Sequence, residues 1–128
     1  MSETRPPSRE PAIRVTAMPA DANTYGDIFG GWLMSLMDSA AGLVAARHSH
    51  GRAVTVAMDG MQFHSPVHIG DEVSVYARLV KTGRTSMIVD VETWARDRHQ
   101  DEFRKVTQAA FTFVAIDKDR KPRAVDAA

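Results

Sequence analysis

The hydrophobic pattern of residues 32–47 predicts a single long helix. Apolar side chains and alanines dominate this stretch, and Asp38 is its only charged residue before Arg47. A helix that is apolar on nearly every side is expected to be buried. Small or weakly polar residues recur along it at three- and four-residue spacing and therefore share one face. These residues are Gly31, Ser35, Asp38, Ser39 and Gly42.

After Gly51 the pattern changes from the period of a helix to that of strands. Apolar and polar residues alternate, polar turns separate the alternating stretches, and Gly60 indicates a bulge. The predicted strands include residues 13–18, 54–58, 73–79, 87–91 and 106–116. Four long strands joined by turns indicate an antiparallel sheet. A sheet wrapped around one buried helix is an α+β fold.

Composition narrows the classes of protein to which the chain can belong. The 128 residues suit one domain, predicted at residues 12–123 between a flexible tail at 1–11 and a C-terminal tail at 124–128. The absence of cysteine excludes disulfides, thiolate metal sites and cysteine nucleophiles. Sixteen basic residues balance sixteen acidic ones, which argues against a nucleic-acid module. With no apolar run of membrane-spanning length and no signal-like start, we expect a cytoplasmic protein without a membrane partner.

Asp38 is the most unusual residue of the predicted helix. A buried carboxylate costs several kcal/mol unless it is paired or functional, and no cation lies three or four residues from it. One interpretation is an aspartate that faces a solvent channel or pairs with a distant arginine. The other is a general base or a nucleophile beside a cleft.

Gly30 and Gly31 stand where a turn-rich loop becomes this helix, and Asp27 is a candidate N-cap. Their amides either serve a tight turn or stabilise a developing negative charge, as in an oxyanion hole. Asp38 lies about 10–12 Å further along the helix, which is far for one protomer to supply both groups. A site shared across a dimer interface would remove this difficulty. Asn23, in the same loop, either shapes a turn or orients water or a carbonyl group.

Other candidate groups give weaker signals. His64 and His68 have Pro66 between them, so helical metal-ligand geometry is not available and we expect no metal site. The chain has no nucleophile-elbow, dinucleotide-binding or Walker pattern. A turn with one guanidinium and two hydroxyls can hold a phosphate, and it consists of Gly83, Arg84, Thr85 and Ser86. A basic run near the C-terminus either is solvated or meets a polyphosphate, and it consists of Lys118, Arg120, Lys121 and Arg123.

The segment from Met18 to Ser35, followed by Met37 and Asp38, closely resembles the hotdog-fold acyl-CoA thioesterases. Among these, the chain is most similar to the bacterial YciA-type acyl-CoA hydrolases. Shorter matches support the resemblance, which extends from about residue 14 to residue 123. They are His50–Gly51–Arg52 with Val54–Thr55–Val56, Met61, Phe63 and Pro66–Val67 before Gly70–Asp71, and Phe113–Val114–Ala115.

The resemblance implies a hotdog fold, in which an antiparallel sheet wraps one long helix. It implies that two protomers form a continuous sheet, that dimers assemble into trimers of dimers, and that active sites lie at the dimer interface. Asp38 and Asn23 match the family's catalytic pair, which comes from opposite protomers. The amides near Gly30 and Gly31 would hold the thioester oxygen.

The same resemblance implies acyl-CoA as the substrate, coenzyme A as a product, and no separate cofactor or metal. The turn of Gly83, Arg84, Thr85 and Ser86 would contact the phosphates of coenzyme A. Two alternatives are a non-catalytic acyl-CoA-binding protein and a hotdog dehydratase, although no histidine stands on the helix near Asp38. The chain departs from relatives at Tyr25, where they often carry a smaller or polar residue, and in a shorter turn at residues 97–101.

Overall fold

One long helix and a five-stranded sheet form the fold of residues 5–126, the part of the chain that this computed structural model describes. In chain order the elements are β1 (Ile13–Thr16), a short 3-10 turn (Pro19–Asp21), α1 (Gly30–Ser49), β2 (Ala53–Phe63), β3 (Glu72–Thr82), β4 (Ser86–Arg96) and β5 (Phe103–Ala115). The predicted α+β class, the helix and all five strands are confirmed. The helix extends two residues beyond the prediction at each end.

The strands are antiparallel and lie in the order β1-β3-β4-β5-β2. β2 follows the helix in sequence but pairs with β5, the last strand, so it lies at one edge of the sheet. The register of β2 and β5 shifts at two places, and Gly60 within the second adopts a φ of 70°. The predicted bulge at Gly60 is therefore confirmed. The described chain leaves the outer edge of β2 without a strand partner.

Helix α1 packs against one face of the sheet through small side chains. Ala40, Ala41 and Ala45 are fully buried there, together with the larger Met37. The alanines let the helix backbone approach the strands closely. The prediction that the helix is buried nearly all round is wrong for one protomer, since Leu43 is 58% exposed. The face of small residues that contains Gly31 is also largely open to solvent. This face is available to a second protein chain or a ligand.

The C-terminus of α1 is held by Arg123. Its guanidinium donates hydrogen bonds to the backbone oxygens of Ser49, Ile116 and Arg52 and to the buried Ser49 hydroxyl, at 2.9–3.2 Å. A cation at this end also complements the helix dipole. Four of the five N–H donors of Arg123 are engaged in this way, so Arg123 has a structural role, unlike either alternative considered for the C-terminal basic run.

Replacing Arg123 by alanine is expected to lower the free energy of unfolding by about 2–3 kcal/mol, because several carbonyl groups lose their donor. Thermal or urea unfolding at fixed protein concentration measures the change. Lys121→Ala is the matched control, since Lys121 is a nearby exposed cation. Equal stability of the two variants would contradict the role given to Arg123.

The described ends of the chain lie against the sheet. Residues 5–11 have no regular secondary structure, and the Arg9 guanidinium lies 5.8 Å from the centre of the Tyr76 ring. Val125 is buried and its N–H donates to the Arg84 carbonyl at 2.8 Å, two residues beyond the predicted domain end. Residues 1–4 and 127–128, within the predicted tails, lie outside the described residues. The domain limits and the flexibility of the tails stay predictions.

No helix in residues 5–126, α1 included, combines the length and the hydropathy that crossing a membrane requires. The expected cytoplasmic location stays a prediction.

Candidate active site

Asn23 organises the loop that precedes the helix. Its side-chain Oδ1 accepts hydrogen bonds from the N–H groups of Tyr25 at 2.8 Å and Asp27 at 3.1 Å. Its own N–H donates to the Asp27 carbonyl at 2.7 Å. Both Oδ1 partners are backbone donors, which fixes the orientation of the carboxamide. The side-chain NH₂ has no acceptor within residues 5–126, so Asn23 presents a free donor from a hydrogen-bonded turn.

The first turn of α1 presents two free amides. The N–H groups of Gly30 and Gly31 have no acceptor within the described chain, whereas the Trp32 N–H donates to the Phe29 carbonyl at 3.2 Å. Phe29 is the N-cap residue and supplies no side-chain hydrogen bond. The prediction of Asp27 as the N-cap is wrong, because the backbone of Asp27 belongs to the Asn23 turn. Its carboxylate instead lies 3.4 Å from Nδ1 of His68.

Asp38 lies in the middle of α1 and contacts the edge strand. The Thr55 hydroxyl donates to Asp38 Oδ1 at 2.6 Å. The prediction that Asp38 is buried is wrong for one protomer, where this residue is exposed. The reason is that Asp38 lies on the side of the helix facing the open edge of β2. No basic side chain within residues 5–126 pairs with it, so the carboxylate is positioned by one hydroxyl and keeps Oδ2 free.

Thr55 was not identified as a functional residue from the sequence. The alternation of Val54, Thr55 and Val56 places the two valines in the core. In the structure Val56 is 57% exposed, and Thr55 reaches the helix. The register shift between Thr55 and Ala57 accounts for this reversal, since one extra residue changes which side chains face the core. The sequence held one signal for the role of Thr55. Thr55 is a polar residue on a strand with a bulge, and that strand follows a helix that carries a lone carboxylate.

One protomer does not bring all the predicted groups together. Asp38 is eight residues from Gly30 on the same helix, which corresponds to about 12 Å. The turn of Gly83 to Ser86 lies at the opposite end of α1, where Thr82 Oγ1 is 3.4 Å from Nε2 of His48. His48 is about 27 Å along the helix from Gly30. Asn23 and the free amides therefore lie at one end of the helix, and the Gly83–Ser86 turn lies at the other.

The turn itself has one free cation. The Gly83 N–H donates to the Ser86 carbonyl, and the carbonyls of Arg84 and Thr85 accept from Val125 and Ala115, each at 2.8 Å. These bonds fix the backbone of the turn to the body of the protein. The Arg84 side chain is exposed and has no partner within the described residues. A fixed turn with an exposed guanidinium is suited to an anionic ligand.

A partly buried ion pair supports the loop that faces the Asn23 turn. Asp71 is 4% exposed, and it pairs with Arg104, which also donates to the Pro66 carbonyl at 3.1 Å. Asp71 Oδ2 further accepts the His68 N–H at 2.9 Å. The Ile28 N–H donates to the Val67 carbonyl at 3.0 Å, which ties this loop to the Asn23 turn.

Among the described residues, no three histidine, aspartate or glutamate side chains group as metal ligands. The expectation of a reaction without a metal or separate cofactor stays a prediction. The groups available for catalysis are one positioned carboxylate, one carboxamide donor and two free backbone amides.

Comparisons with known proteins extend the resemblance. The family model described as "Thioesterase superfamily" matches residues 25–102. An uncharacterized acyl-CoA thioester hydrolase of Zymomonas mobilis is 61% identical over 121 residues, or 94% of this chain and 81% of the relative. The acyl-CoA thioester hydrolase YciA of Salmonella typhimurium is 48% identical over 120 residues, or 91% of this chain and 90% of that protein.

A solved structure shows the same similarity at the level of the fold. The hexameric thioesterase of Yersinia pestis is 45% identical and superposes with a TM-score of 0.88, covering 95% of this chain and 99% of that one. The similarity in sequence and in fold extends along most of both chains.

Proposed function

Since this chain belongs to the hotdog thioesterase superfamily, we propose that it hydrolyses acyl-CoA to a free carboxylic acid and coenzyme A at sites that two protomers share. The named relatives are acyl-CoA thioester hydrolases, which supports the substrate and the reaction. The observation that carries the proposal is the position of Asp38. This carboxylate is exposed, held by Thr55 and free of any cation in residues 5–126, beside a strand with an open edge.

The open edge of β2 supports a two-fold dimer. An unpaired edge strand of eleven residues presents free N–H and C=O groups that a second copy can satisfy. Antiparallel pairing of two β2 strands about their midpoint, Met58, places Thr55 opposite the partner's Met61 and Ala53 opposite the partner's Phe63. Because the Phe63 ring lies beside the first helical turn, with its Cζ 3.1 Å from where a Cβ atom on Gly30 would stand, this pairing brings Asp38 of one protomer towards the first helical turn of the other. Each dimer then has two complete sites.

The proposed chemistry uses the groups at each shared site. The thioester oxygen accepts hydrogen bonds from the Gly30 and Gly31 amides, which stabilise the negative charge that develops on it. Asp38 takes a proton from water, which attacks the carbonyl carbon, or attacks that carbon itself to form a transient anhydride that water then opens. Either route expels the coenzyme A thiolate, which takes up a proton. The Asn23 NH₂ donates to the water or to the thioester oxygen.

We further propose that dimers assemble as trimers of dimers, because the Yersinia pestis relative is hexameric.

The experiment that tests the function follows release of free thiol from a panel of acyl-CoAs with the purified protein. Hydrolysis of at least one acyl-CoA with catalytic turnover is expected. Binding of acyl-CoA without turnover would contradict the proposal and favour a non-catalytic binding protein, whereas dehydration of a hydroxyacyl-CoA would favour a dehydratase.

The Gly83–Ser86 turn is proposed to bind the phosphates of coenzyme A through Arg84, Thr85 and Ser86. Arg84→Ala is expected to raise KM for several acyl-CoAs about tenfold while changing kcat much less, because the phosphates lie far from the reacting carbonyl. Steady-state kinetics measure both constants. Arg78→Ala, an exposed arginine on β3, is the control. An unchanged KM in Arg84→Ala would contradict the phosphate contact.

A further inference from the structure

The segment between β1 and α1, residues 17–29, carries the Asn23 turn. The loop that precedes β3 holds the start of this segment. The Ala17 N–H donates to the Asp71 carbonyl at 3.0 Å, and the Ala17 carbonyl accepts the Gly70 N–H at 2.8 Å. These two hydrogen bonds fix the point at which the chain leaves β1.

The same loop, residues 66–71, also holds the end of the segment. The Ile28 N–H donates to the Val67 carbonyl at 3.0 Å, and Asp27 forms an antiparallel bridge with His68. The segment is thus tied on both sides to one stretch of chain. Its position therefore depends on the conformation of that loop.

An ion pair between Asp71 and Arg104 fixes the conformation of residues 66–71. The buried Asp71 Oδ2 accepts hydrogen bonds from the Arg104 guanidinium and from the His68 N–H, the second at 2.9 Å. Arg104, on β5, also donates from Nε and Nη2 to the Pro66 carbonyl, at 3.2 and 3.1 Å. A buried carboxylate needs such partners to offset its lost hydration. One cation of the sheet therefore holds both ends of the loop.

We infer that Asp71 and Arg104 are positioning residues for the reaction and that they act on it through Asn23. The inference rests on the proposed function, in which the Asn23 NH₂ donates to the water or to the thioester oxygen. Neither side chain of the ion pair has a contact with the substrate in the proposed site. A displacement of about 1 Å at a reacting group costs as much as about 10²-fold in rate, so an ion pair outside the site controls turnover.

Asp71→Asn is the first test. The variant loses the charge of the carboxylate and keeps an oxygen that can accept the His68 N–H. It is expected to lower kcat at least about tenfold. KM is expected to change much less, because the proposed phosphate contact at the Gly83–Ser86 turn lies at the other end of α1. Thiol release at varied acyl-CoA concentration gives both constants.

Glu72→Gln is the matched control. Glu72 is the next residue of the chain, and its carboxylate pairs with Arg96 of the sheet at 2.9 Å instead of with the loop. Its replacement also breaks a partly buried ion pair but leaves residues 66–71 held, so kcat is expected to stay near that of the wild type.

A double variant distinguishes positioning of Asn23 from a general structural role. If Asp71 acts through the Asn23 NH₂, adding Asp71→Asn to Asn23→Asp is expected to lower kcat by less than about threefold more, because residues that act as a unit are not additive. An equal loss of kcat in the two backgrounds would overturn the inference, and so would wild-type kcat in a folded Asp71→Asn protein.

Amide hydrogen exchange provides a measurement that does not depend on activity. The N–H groups of Tyr25 and Asp27, which donate to Asn23 Oδ1, are expected to exchange at least about tenfold faster in Asp71→Asn, because the loop opens locally more often. Their exchange in Glu72→Gln is expected to match the wild type.

Arg104→Lys covers the case in which Asp71→Asn does not fold. Lysine keeps the charge but lacks the planar fork that reaches the Asp71 carboxylate and the Pro66 carbonyl together, so the same changes in kcat and exchange are expected. Unchanged exchange in either folded variant would contradict the hold of the ion pair on the Asn23 turn. A wild type that hydrolyses no acyl-CoA would instead contradict the proposed function itself.

Discussion

Replacing Asp38 by asparagine is expected to lower kcat for acyl-CoA hydrolysis about 10²–10⁴-fold, the contribution typical of a general acid–base group. Asparagine has nearly the same shape and keeps an oxygen that can accept the Thr55 hydroxyl, which donates to Asp38 Oδ1 at 2.6 Å. The contact between helix and strand is therefore preserved. Only the negative charge and the basicity of the group are lost. Thiol release under saturating substrate measures kcat directly.

Asp59→Asn is the control for this substitution. Asp59 is an exposed carboxylate on β2, the strand that also carries Thr55, and it is expected to be replaceable with little change in kcat. A rate close to that of the wild type in a folded Asp38→Asn protein would remove Asp38 from the reaction.

Replacing Asn23 by aspartate is expected to lower kcat about 10²–10³-fold, as loss of one oxyanion-hole donor does. Aspartate keeps the oxygen that accepts the N–H groups of Tyr25 and Asp27. The turn is therefore retained, while the NH₂ donor is replaced by an acceptor. Steady-state kinetics give kcat, and circular dichroism verifies that the variant is folded.

Two further variants distinguish the role of the Asn23 NH₂ as a donor from the role of Asn23 in shaping the turn. Asn23→Ala removes both and is expected to lose at least as much activity as Asn23→Asp. Thr24→Ala alters an exposed neighbour in the same loop and is expected to keep its activity. Full activity in Asn23→Asp would show that Asn23 serves only to shape the loop.

Local sequence pattern predicted the elements of this fold because each depends on neighbouring residues. The apolar run around Met37 and the alternation in β3 and β4 are signals of this kind. The distance along the helix between Gly30 and Asp38 also led to the hypothesis of a shared site, which stays a proposal. The strand order was not predictable in this way, because the pairing of β2 with β5 joins residues such as Val54 and Val114 that are far apart in sequence.

The burial of the Asp38 side chain was predicted wrongly for a related reason. An apolar sequence around a carboxylate indicates burial, but Leu43 and Val56 are exposed in one protomer. In the proposed dimer a second chain covers such apolar residues, and the sequence alone does not distinguish them from residues that fill the core. Thr55 was missed because a bulge changes the side of the strand on which each residue lies, and the pattern of one edge strand does not show it.

The most direct test of the shared site mixes two inactive variants. Asn23→Asp and Asp38→Asn chains carrying different tags are co-expressed, and mixed assemblies are isolated by sequential purification on both tags. If each site takes Asn23 from one protomer and Asp38 from its partner, a mixed dimer has one fully intact site and recovers up to about half of the wild-type turnover. Verified mixed dimers that stay as inactive as either variant alone would contradict a site built from two chains.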